Sequence, residues 1–145
     1  MRNLIYLSIL LFILGCGDDP NPEENPKIEE VKSIVLNGKW QIVYFFDTDE
    51  EETDKFTGYT FQFLPSGSVV ATDGPGSVSG AWSITDQSNS NGHSDIDFNI
   101  SFTTAPLLDE LSEDWEIIST SNTKIELRHI SGGNGGTDLL TFEKI

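Results

Sequence analysis

The residues that could do chemistry in this 145-residue chain are few: one cysteine, two histidines, and 24 acids set against eight lysines and arginines. Cys16 has no second cysteine to pair with. His93 and His129 are far apart and have no cysteine partner, which makes a weak pattern for zinc. Six acids crowd into "FFDTDEEETDKF" (45–56). Asp47, Asp49 and Glu51 imitate the opening of a calcium-binding EF-hand loop. The pattern then fails, with Glu52 where that loop needs glycine and Gly58 where it needs a bidentate glutamate. A solvated acidic loop and a looser calcium site both stay open. "SGGNGG" (131–136) has the glycines of a phosphate loop, but no Gly-Lys-[Ser/Thr] and no helix follow. No G-x-S-x-G is present, and Asp95 and Asp97 point outward on a strand. The expectation is therefore no enzyme, no catalytic residues, no metal ligands and no cofactor.

The front of the chain specifies an address. Met1-Arg2-Asn3 carries one positive charge, and Leu4 to Leu14 is apolar apart from Ser8. As a helix that run spans ~17 Å, too short for a hydrocarbon core of about 30 Å, so it reads as a secretory signal. Ile13-Leu14-Gly15-Cys16 resembles the lipobox of bacterial lipoproteins. The resemblance implies cleavage after residue 15 and a diacylglyceryl group on the Cys16 thiol. It also implies a further acyl chain, such as palmitate, on the freed amine. Two or more chains hold a protein durably on a membrane where one does not. Asp18 and Asp19 behind the cysteine resemble the surface-export signal of some Gram-negative lipoproteins. The expected location is the outer membrane, with display at the cell surface; a periplasmic acidic tether is the alternative.

Loss of Arg2 with the signal leaves seven cations against 24 acids, a net charge of −17. That excludes nucleic acid and argues against docking on anionic lipid. "GDDPNPEENP" (17–26) reads as a spacer, and 27–35 as a short helix capped by Asn25 with Pro26 at its first position. Ile28, Val31 and Val35 share one face, which suits closure of one end of a barrel. The organisation is thus 1–15 signal, 16–35 lipidated tether and helix, and 36–145 a single domain.

From Leu36 onward the apolar period is two. Ile96, Phe98, Ile100 and Phe102 alternate with Asp97, Asn99 and Ser101. Turn sequences such as "LPSGS" (64–68) and "TDGPGS" (72–77) separate such runs. Strands are expected at about 38–47, 57–64, 67–73, 77–85, 94–103, 114–120, 123–131 and 137–144, with a helical insert over 106–114. The fold class is all-β: an eight-stranded antiparallel up-and-down barrel with short helical segments before the first strand and between the fifth and sixth.

Leu36-x-Gly38-x-Trp40 heads the first strand. This resembles the G-x-W start of lipocalins, and residues 36–145 are similar to the lipocalin-like domain of secreted bacterial lipoproteins. The resemblance implies that Gly38 and Trp40 close the barrel base and that Arg128 stacks on the tryptophan. By alternation Arg128 falls on the polar side of its strand, which leaves a surface role open. The inward set is bulky: Trp40, Tyr44, Phe61, Phe63, Trp82, Phe98, Phe102, Ile117, Leu127 and Phe142. An eight-stranded barrel holds either its own side chains or one small ligand. The leading expectation is non-covalent binding of a small apolar or amphipathic molecule by Tyr44, Phe61, Trp82, Phe98 and Leu127. The alternative is a ligandless barrel serving as an envelope interaction or inhibitor module, its protein partner unspecified. Gly80, inside a strand, marks a bulge, a bend or a close approach by a ligand.

Overall fold

Helix α1 (Pro26–Leu36) starts where the residue types dictate. The Asn25 side chain accepts the Lys27 N–H at 3.0 Å, and Pro26 occupies the first turn. Its apolar face, Ile28, Val31 and Val35, is buried against the barrel. This computed structural model describes residues 25–87, 96–133 and 136–145. The signal, Cys16 and the tether lie outside the described residues, as do His93 and Asp95.

The strands are β1 (Trp40–Asp47), β2 (Glu50–Glu51), β3 (Tyr59–Phe63), β4 (Ser68–Asp73), β5 (Gly76–Asp86), β6 (Ile96–Ser101), β7 (Asp114–Thr120), β8 (Lys124–Ile130) and β9 (Thr137–Lys144). Every pairing is antiparallel, and β3 to β9 pair in chain order. β9 returns to β1 from Trp40↔Lys144 to Phe46↔Leu139, which closes an eight-stranded barrel. The two-residue β2 only extends the hairpin after β1. β1 meets β3 through one registered pair, Trp40↔Phe61. A 3₁₀ turn, Thr53–Phe56, fills the splayed part of that seam. Thr53 Oγ1 accepts the Phe45 N–H at 2.9 Å, and Phe56 packs edge-on to Phe45 at 5.2 Å.

Three local expectations are corrected. Tyr44 does not face inward. A bulge between Ile42 and Tyr44 shifts the alternation, so Ile42 and Phe45 are buried and Tyr44 is 38% exposed. A second bulge, between Ile117 and Ser119, leaves Ile117 half-buried, and Trp115 takes the deep position in β7. The insert after β6 is one turn, α2 (Pro106–Asp109), because the chain turns at Leu111 and enters β7 at Asp114.

Gly80 is a point of close approach between strands and side chains of the protein itself. A Cβ there would strike the Ser101 carbonyl oxygen and lie 2.7 Å from the Phe102 ring. Overpacking of this kind costs about 1–3 kcal/mol. Gly80→Ala is expected to lower the unfolding free energy by that amount, read as a lower urea midpoint with an unchanged slope; a midpoint equal to wild type would mean the β5–β6 wall yields freely.

Candidate functional site

The barrel interior holds four of the five expected ligand contacts, but it does not arrange them as a cup. Phe61, Phe98 and Leu127 are buried inside. Trp82 is buried near α1, where its indole N–H donates to the Leu64 carbonyl at 3.0 Å. Tyr44, the expected polar handle, is outside. Phe63, the last residue of β3, packs among three of the inward rings. Its ring centroid lies 5.4 Å from Trp82, 5.3 Å from Phe98 and 5.9 Å from Phe142, each edge-on. These rings come from β3, β5, β6 and β9, so strands that are not neighbours in the sheet touch across the interior. Edge-to-face contacts at such distances are favourable packing that leaves no gap for a guest. Grooves of about 290 and 360 Å³ lie on the outside, one over β5 and β6 and one beside Lys32, Leu36 and Pro65.

The base is closed by a different cation from the one expected. The Trp40 indole N–H donates to the Val35 carbonyl at 2.9 Å, which ties the end of α1 to the first strand. Lys144 Nζ lies 5.1 Å from the Trp40 ring centroid, a cation–π contact. Gly38 has φ of +111°, a backbone conformation glycine tolerates, and brings the Lys144 stem close. Arg128 does not reach Trp40. It faces out of β8, whose inward residues are Ile125 and Leu127, and forks onto Glu116 at 2.7 and 2.8 Å. That fork holds the Glu116 carboxyl below its ordinary range.

The end opposite α1 is also shut. Phe56, Leu108 and Leu111 are buried there. Above them Lys55 Nζ bridges Glu52 at 2.6 Å and Glu110 at 3.2 Å, joining the 3₁₀ turn to the segment after α2. The acidic loop thus forms part of a cover. Its acids serve local structure: Glu51 accepts the Thr53 N–H at 3.1 Å, and Asp47 accepts the Thr48 hydroxyl at 3.0 Å. Asp47, Asp49 and Glu51 do not converge into a ligand set. Charge is polarised along the barrel. At the α1 end Lys27, Lys32, Lys39, Lys124 and Lys144 are balanced by Glu29, Glu30, Asp86, Glu126 and Glu143. The opposite end gathers Asp49, Glu50, Glu51, Asp54, Asp109 and Glu110 against Lys55.

Sequence reasoning passed over Phe45, Phe56, Trp115 and Asp138. The last was discoverable, because period two puts Asp138 on the same face as Leu140 and Phe142. Asp138 is the buried charged residue among those described, at 8% exposure.

No family model matches the chain, and no curated protein matches it. Among solved structures, the crystal structure of a DUF4847 family protein from Bacteroides vulgatus superposes with a TM-score of 0.52 at 17% identity. The match covers 79% of this chain and 97% of that one. At that identity the likeness is one of fold.

Two outcomes follow from the packing. Phe63→Ala removes the ring that joins the walls and is expected to cost about 3–5 kcal/mol, read by chemical denaturation. Arg128→Ala is expected to raise the Glu116 pKa to its ordinary range, read by NMR titration of the side-chain carbon. Glu116 is 39% exposed, so solvent screens the pair, and the lost stability at neutral pH is at most about 1 kcal/mol. The sign follows from the lowered pKa. The contribution is present above the unfolded-state value and is lost as pH falls through the folded-state value.

Proposed function

We propose that this protein is an outer-membrane lipoprotein, anchored by acyl groups on Cys16, whose lipocalin-like barrel is a filled scaffold for protein interaction. The observation that carries this reading is the contact of Phe63 with Trp82, Phe98 and Phe142 across the interior. A carrier of small apolar molecules needs a lumen, and here the space is taken by the protein's own rings. The working surface is then the outside, with no covalent chemistry. The charge polarity supports the orientation. The charge-balanced end adjoins α1, and the strongly acidic end lies opposite it. A partner with a basic face fits that end, because complementary charge speeds encounter and suppresses wrong partners.

Two measurements test the reading. Cys16→Ser is expected to move the protein from the detergent-soluble membrane fraction to the aqueous fraction. That soluble form, incubated with a lipid extract of the producing cells, is expected to show its bare mass by native mass spectrometry. A discrete adduct lost in Trp82→Ala would overturn the filled-scaffold reading in favour of a ligand-binding barrel.

A further inference from the structure

His129, near the end of β8, aims both ring nitrogens at carboxylates. Nδ1 lies 3.3 Å from Oδ2 of Asp138. A carboxylate at Nδ1 suits the tautomer that donates from Nδ1, and a metal ion would then be met by the Nε2 lone pair. Asp138 is itself held in place, since its Oδ1 accepts the Thr48 N–H at 2.8 Å. Thr48 has φ of +54°, a conformation that β-branched residues rarely adopt. Local strain of this kind gathers where a structure over-determines a site. The Trp115 ring packs against the imidazole, with centroids 6.2 Å apart.

On the other side Nε2 faces Glu113 Oε2 at 3.6 Å and Asp114 Oδ1 at 3.7 Å. Both distances are too long for hydrogen bonds. The separations are close to those of two ligands on one tetrahedral zinc, about 3.3–3.6 Å for bonds of about 2.0–2.2 Å. The three ligand atoms all lie within 4.8 Å of one another. The backbone of Glu113 is fixed as well, its carbonyl accepting the Ile100 N–H at 3.1 Å.

We propose that His129 Nε2, Glu113 and Asp114 bind a divalent first-row metal ion, of which zinc is the best fit. Water completes the coordination, and Asp138 orients the imidazole from behind. An imidazole ligand selects zinc and its neighbours over calcium and magnesium, which prefer oxygen alone. A carboxylate behind the distal nitrogen is the usual support of a metal-binding histidine. Glu113 and Asp114 are exposed, so the ion would enter from solvent at the acidic end of the barrel. The net charge of −16 raises the local concentration of cations there.

The test is calorimetric titration of the full chain, purified in detergent, with zinc chloride in a background of excess magnesium that saturates diffuse acidic sites. One zinc per chain is expected, with a shift of the His129 Nε2 nitrogen resonance. Asp138→Asn is expected to weaken binding about 10–100-fold. His129→Ala is expected to abolish the tight event, and His93→Ala to leave it unchanged. The double substitution Glu113→Gln with Asp114→Asn changes only exposed side chains and is also expected to lose it, which separates site loss from misfolding. Equal titration of wild type and His129→Ala would overturn the proposal, as would loss of the tight event in His93→Ala.

Discussion

Phe63 meets rings from three other strands, and the rest of the barrel is shaped by having that contact across its interior. Eight strands enclose a space only wide enough for facing side chains. When the inward positions carry phenylalanine and tryptophan, non-neighbouring strands touch across the space where a lumen would form. The walls must then be tight on both flanks. Gly80 supplies the room that Phe102 needs, because no side chain fits between that ring and the Ser101 carbonyl. Where β1 and β3 splay apart, the 3₁₀ turn brings Phe56 into the gap. The packing density of the centre is thus extended to the seam.

A filled barrel still has two open ends, and the chain treats them differently. At the α1 end closure is apolar and cationic: Val31 and Val35 enter the core, Trp40 donates back to Val35, and Lys144 lies over the indole. At the other end a thin apolar cover is held by bridges between Lys55 and two glutamates. Exposed bridges contribute little stability, so the cover rests mainly on Phe56, Leu108 and Leu111. The acids of that end are therefore free to serve a surface role. Among the described residues the net negative charge concentrates at this end, away from α1.

The polar chain from Thr48 through Asp138 to His129 runs against the apolar logic of the interior. A carboxylate at 8% exposure has to be satisfied, and both of its oxygens are engaged. A hydrophobic residue at 138 would continue the alternation of β9 without such demands. The arrangement makes physical sense as support for the imidazole, whose second nitrogen then faces Glu113 and Asp114.

The sequence by itself determined the class of the fold and the eight strands of the barrel, though not the two-residue β2. Alternation such as Ile96, Phe98 and Ile100 leaves one way to bury an apolar face, and turn residues mark where each run must stop. It also determined the helix start, because the Asn25-Pro26 cap is a local interaction. Tertiary structure decided the rest. One extra residue at a bulge reversed Tyr44 and Phe45, an effect of cross-strand register that no single strand encodes. Lys144 in place of Arg128 on Trp40 depended on which strand closes the barrel beside β1. Whether the inward rings line a cup or fill it depended on distances across the barrel, which period two does not contain. The grouping of Glu113, Asp114, His129 and Asp138 arose from three adjacent strands meeting at one end, and only the closed register of β7, β8 and β9 brings them together.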